Sequence, residues 1–140
     1  MRRPLLGLAA LSMVAAAPVK APDPPPAPAE PAKITGALLQ GLDKTTARVT
    51  KFAAPLGQPV KFGTLEIQVR DCRRNPPEED PESAAYLDIE ELRPGETTAQ
   101  HIFSGWMFAS SPALNPLENA IYDVWVLDCS TSSGPAGKKG

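Results

Sequence analysis

Two runs of alternating residues end in the same dipeptide: "TLEIQVRDC" at 64–72 and "IYDVWVLDC" at 121–129 each close on Asp-Cys. In the first, Leu65, Ile67 and Val69 face one way while Thr64, Glu66, Gln68 and Arg70 face the other, the pattern of a half-buried antiparallel strand. Cys72 and Cys129 are the only cysteines of the chain. In an exported protein an even cysteine count implies a disulfide, and two cysteines allow one pairing. That bridge closes a loop of about 60 residues and is worth about 4 kcal/mol in the chain-entropy model.

Export is expected from the N-terminus. Arg2 and Arg3 precede the apolar run "PLLGLAALSMVAAA" and a patch of small residues, the order of a secretory signal peptide. The run is shorter than the roughly 20 residues that cross a bilayer. We therefore read 1–16 as a signal peptide and the mature chain as periplasmic.

Seven of the 17 prolines fall between 18 and 31, so 17–33 reads as an extended Pro/Ala-rich linker. A tether and a ligand for a proline-reading module are the functional alternatives for it. After Cys129 the chain turns small, polar and glycine-rich, and 131–140 reads as a disordered tail. The ordered domain is then 34–130, whose small core makes a covalent staple matter.

Within it "ITGALLQGL" (34–42) reads as a short helix or irregular lead-in, because its leucines do not alternate. "TARVTKFAA" reads as a strand, and Pro59 confines "GQPVKFG" to an edge or a turn. Strand signals follow at "GTLEIQVRDC", "AAYLDIEEL", "QHIFSGWMFA" and "AIYDVWVLDC", separated by turn signals such as "RPGE". The expectation is an all-β domain, a small antiparallel sandwich or barrel of five to six strands with one disulfide.

Fourteen basic against 16 acidic residues show no basic stripe, which argues against a nucleic-acid partner. Two cysteines and one histidine without close spacing make no metal site, and no cofactor motif is present. His101 and Ser104 invite a nucleophile reading. Residues three apart on a regular strand point to opposite faces, however, so these two cannot bond without a bulge, and no G-x-S-x-G elbow is present. Asp88 and Glu90 share a strand face and, with Asp123, could supply a glycosidase pair, but the domain offers little material for a deep cleft. An enzyme is therefore not expected.

Trp106, Phe108 and Trp125 are expected to form a common aromatic cluster in the core; exposed, they would be a platform for sugar rings or a peptide. The loop "ASSPALNPLEN" between the last two strands, stiffened by Pro112 and Pro116, is either a docking edge displaying Leu114 and Leu117 or a turn whose leucines cap the core. Trp106, Ser110, Ser111, Leu114 and Leu117 are the candidate binding residues.

"GLDKTTARVTKFAAPLGQPVKFGTLEIQVRDC", "PPEEDPESAAYLDIEE" and above all "FSGWMFASSPALNPLENAIYDVWVLDC" resemble the exported alphaproteobacterial family catalogued as domain of unknown function 2155. The likeness runs from about Gly41 to Cys129 and carries over no catalytic residues. It implies a signal-bearing periplasmic or envelope protein. It also implies, through the gene neighbourhood of that family, an accessory subunit on the periplasmic side of the respiratory NADH:quinone oxidoreductase. The expected function is thus non-catalytic docking on another envelope protein or membrane complex, with that accessory role or a glycan-binding module as alternatives.

Overall fold

A computed structural model describes residues 10, 12–25 and 32–132. Most of the expected signal peptide, part of the proline-rich linker and nearly all of the expected tail lie outside these residues. The chain divides into two units, Met1–Glu30 and Pro31–Gly140. Residues 12–25 of the first are exposed and carry no regular secondary structure.

In the second unit the described residues form seven strands: β1 (Ile34–Asp43), β2 (Arg48–Pro55), β3 (Val60–Phe62), β4 (Leu65–Arg74), β5 (Ser83–Glu91), β6 (Gln100–Phe108) and β7 (Tyr122–Thr131). A single 3₁₀ turn, Pro112–Leu114, interrupts the last connection. The strands make two antiparallel sheets, ordered β2-β1-β7 and β3-β4-β5-β6. Leu39 and Val126 of the first sheet and Ile67, Val69, Leu87 and Ile89 of the second are wholly buried in one core cluster. The domain is therefore a seven-stranded sandwich.

The first strand corrects the expected helix or lead-in at 34–42. β1 is the central strand of its sheet, paired with β2 on one side and β7 on the other. Ala37, Leu39 and Gly41 face the core, while Leu38 and Leu42 lie on the outer face only partly covered. Those two outward leucines mask the alternation that would otherwise announce a strand.

The two V-x-D-C tetrapeptides are folded alike. In β4, Val69 pairs with Leu87 and Asp71 with Tyr86, which leaves Arg70 as the extra residue of a bulge. In β7, Val126 pairs with Leu39 and Asp128 with Leu38, which leaves Leu127 extra. Strict alternation from the inward Val69 and Val126 would turn the aspartates inward and the cysteines out. One extra residue on each strand reverses this and delivers Cys72 and Cys129, each 3% exposed, to the inner face. There they form a disulfide with Cα atoms 5.8 Å apart, joining β4 of one sheet to β7 of the other.

The expected core cluster of Trp106, Phe108 and Trp125 is not formed. Trp106 and Trp125 alternate with the buried Met107 and with Val124 and Val126, so each lies half-buried on the outer face of a different sheet. The aromatic cluster that packs against the core is Phe52, Phe62 and Tyr122, all partly buried, with neighbouring ring centroids 5.4 Å apart. Glycine at 41 makes room for it, since a Cβ there would lie 2.5 Å from the Phe62 ring.

Candidate functional site

The outer face of the four-stranded sheet is a grid fixed by register. One row across the strands reads Lys61, Glu66, Glu90 and His101. The next reads Gln68, Asp88 and Ser104; the third, Asp71, Tyr86 and Trp106; the fourth, Arg73, Ala84 and Phe108. The face thus passes from a polar half to an aromatic half within four rows.

A bulge organises the polar half. Ile89 pairs with Phe103 and Glu90 with His101, so Ile102 is extra in β6 and packs against the core. The strand rotates past it, and His101 and Ser104 share the outer face. This supplies the bulge that a direct contact requires, and His101 Nε2 lies 2.7 Å from Ser104 Oγ. The Ser104 hydroxyl donates to Asp88 Oδ1, and Arg70 Nε donates to Asp88 Oδ2 at 2.6 Å. The Ser104 hydroxyl, then the Arg70 guanidinium, hold the Asp88 carboxyl below its ordinary range.

Serine therefore sits between the imidazole and the carboxylate. Its proton is committed to Asp88, and the imidazole meets the hydroxyl oxygen as a donor. A hydrolytic triad needs the histidine in the middle, taking the serine proton while the carboxylate orients it. In this arrangement His101 Nε2 is 3.9 Å from Asp88 Oδ1, and an anchored, acid-shifted carboxylate is a poor general base. What results is an ordered array of hydrogen-bonding groups on open sheet, around a depression of about 180 Å³ lined by Glu66, Gln68, Arg70, Asp88, Glu90 and His101.

In the aromatic half, Trp106 meets the edge of Tyr86 with centroids 5.6 Å apart and planes at 83°. The Arg73 guanidinium lies 5.6 Å from the indole centroid, and its Nε donates to Asp71 at 3.0 Å. Both arginine contacts are at the surface: the Arg73 side chain is 76% exposed.

The other sequence candidates separate. Asp123 is on the outer face of the three-stranded sheet, 3.2 Å from Lys44 Nζ, so the carboxylates Asp88, Glu90 and Asp123 are not brought together. Ser110 donates its hydroxyl to Glu82 and its amide to the same carboxylate at 3.1 Å; these bonds, the hydroxyl first, hold the Glu82 carboxyl below its ordinary range. Ser111 accepts the Leu114 amide at 3.1 Å, closing the 3₁₀ turn. Leu117 is 4% exposed and joins the core, so it offers nothing to a partner. Leu114, at 70%, is left projecting. The two leucines thus divide the two roles expected of the loop.

Residues that the sequence did not single out complete the surface: Glu66, Gln68, Arg70, Arg73 and Tyr86. Their alternation was visible, but only the pairing of β4, β5 and β6 shows that they stand beside His101, Ser104 and Trp106. Among the described residues no three His, Cys, Asp or Glu side chains converge as metal ligands.

A second concavity of about 680 Å³ lies at the disulfide end, with Ile34, Arg74, Pro76, Pro81 and Asp128 among its walls. Its polar groups already serve each other across the sheets. Arg74 donates to Asp128 at 2.7 Å and to the Cys129 carbonyl at 2.6 Å, and Ser83 donates to Asp128 at 2.8 Å.

Residues 37–129 match a family model described as "Uncharacterized protein conserved in bacteria (DUF2155)". The chain is similar to the uncharacterized protein RP359 of Rickettsia prowazekii (strain Madrid E), 28% identical over 95 residues. That alignment covers 68% of this chain and 61% of the relative. No solved structure matches.

Proposed function

The chain belongs to the DUF2155 family, and on that premise we propose that it is a non-catalytic binding domain of the bacterial cell envelope, working in the periplasm after signal cleavage. The signal-like N-terminus and the Cys72–Cys129 bridge support that compartment, since disulfides persist where the surroundings are oxidising. One observation carries the binding role: the partly buried Trp106 and Tyr86 stand on the outer sheet face next to polar groups that already bond one another. Large aromatic side chains left on a surface beside a pre-organised polar array favour recognition, because little ordering is needed on binding. The serine-centred order of His101, Ser104 and Asp88 supports binding over hydrolysis.

The projecting Leu114 favours a second surface, one for protein. It sits on a short turn pinned to β6 by the Asn115 amide, which donates to the Trp106 carbonyl at 3.0 Å. A respiratory or other envelope complex that held the chain there would retain it through mild detergent.

Fractionation tests both readings. The full chain is expected to co-sediment with envelope material, Trp106→Ala to lose most of that retention, and Trp125→Ala to keep it. Retention equal in all three proteins contradicts the sheet-face reading. For the loop, Leu114→Asp should release the chain from a stoichiometric complex isolated from solubilised membranes; a wild-type chain that emerges alone contradicts a docking role.

A further inference from the structure

We infer that the outer face of the four-stranded sheet binds a neutral saccharide, with one sugar ring in the polar depression and an adjoining ring face against Trp106. The inference rests on the reading of this face as the recognition surface and names its ligand.

The geometry of the grid carries it. Side chains on a sheet face stand about 4.8 Å apart between strands and about 6.8 Å apart along one. Glu66, Gln68, Asp88, Glu90 and His101 therefore present acceptors and donors at spacings that vicinal and cross-ring hydroxyls can bridge. Sugar hydroxyls both donate and accept, so they can enter such a network without leaving a charge unpaired. The array is held in place before any ligand arrives: Gln68 donates to the Gly57 carbonyl at 2.9 Å, and Asp88 is fixed by Ser104 and Arg70. The next row supplies the apolar component that a pyranose ring face needs, in Trp106 and Tyr86.

Other ligand classes fit less well. A peptide anchor requires a desolvated apolar pocket, whereas the depression here is walled by four ionisable side chains and an amide besides the imidazole. An anion would meet Glu66, Asp88 and Glu90. A cation would meet Arg70 in the same hollow. At about 180 Å³ the depression is smaller than the cavities of drug-sized ligands and suits a single ring. Arg73 lies over the indole, but it is a largely exposed side chain held by a surface pair with Asp71, and such pairs are weak, so a sugar face can displace it.

The test is a heteronuclear NMR titration of the full chain with chitotetraose, cellotetraose and maltotetraose. At least one probe should shift the amides of Gln68, Asp88, Glu90 and Ser104 and the Trp106 indole in a saturable way. Trp106→Leu should weaken that response by about tenfold, and Glu90→Gln, at an exposed position where misfolding is not at issue, by about threefold. The absence of a saturable shift with all three probes overturns the inference, as does a response unchanged in both variants. Should Trp106-dependent envelope retention persist without any saccharide response, the ligand inference falls and the binding reading stands, with a protein as partner. Should retention be independent of Trp106, the binding reading itself falls.

Discussion

Replacing both cysteines, Cys72→Ala with Cys129→Ala, removes the disulfide that cross-links the two sheets. The bridge spans a sequence separation of 57 residues. For a loop of that length the chain-entropy relation gives roughly 14 cal/mol/K, or about 4 kcal/mol at room temperature. The sulfurs are buried, and alanine leaves only small voids, so cavity costs add little beside this. A domain of this size has about 5–15 kcal/mol to lose, so the variant should fold with its midpoint displaced by about 2–4 M urea. Equilibrium urea unfolding followed by far-UV circular dichroism, with the wild type oxidised and reduced, measures the shift. Reduced wild type and the double variant should coincide, both well below the oxidised protein. Equal midpoints for all three would refute the stabilisation assigned to the Cys72–Cys129 bridge.

Four further outcomes follow from named contacts. Deleting Arg70 or Leu127, the extra residues of the two bulges, restores regular alternation with the cysteine still inward, so the disulfide should still form by mass spectrometry; free thiols in these deletions would contradict the placement of the bulges. Gly41→Ala drives a methyl into the Phe62 ring and should cost about 1–3 kcal/mol in the same urea assay. Ala47 holds φ at 55° in the β1–β2 turn, so Ala47→Gly should stabilise by up to about 1 kcal/mol.

The fourth concerns acid. Burial raises the affinity of Glu91 and Asp128 for a proton, but Asn119, Arg93 and Thr64 outweigh it for the first, and Arg74, Ser83 and the Cys129 amide for the second, so both titrate below their ordinary values of 4.5 and 3.8. A carboxyl lowered by folding contributes stability above its unfolded value and loses it as pH falls through the folded one. Stability should therefore decline from about pH 5 downward, and Glu91→Gln with Asp128→Asn should flatten that decline; an unchanged slope contradicts the assignment.

Much of the sandwich was legible in the sequence, and the exceptions share a cause. β4 and β5 showed themselves because their inward Leu65, Ile67, Val69, Leu87 and Ile89 alternate with polar neighbours. β1 hid because Leu38 and Leu42 are apolar on the outward face as well. The cysteine pairing followed from parity, but nothing in "VRDC" or "VLDC" announces a bulge, and only cross-strand register shows one. The same holds for His101 and Ser104, which the extra Ile102 brings onto one face. The aromatic cluster was misplaced because contacts such as Phe52 with Phe62 depend on which sheet each strand joins. The site is the least legible part: it consists of cross-strand neighbours, and their adjacency is a property of pairing rather than of spacing along the chain.

Hydroxyl-radical footprinting of the full chain, with and without envelope material, tests the central claim most directly. The account predicts protection at Trp106 and Tyr86 and unchanged labelling at Trp125. Protection confined to Trp125, or none at either tryptophan, would contradict it.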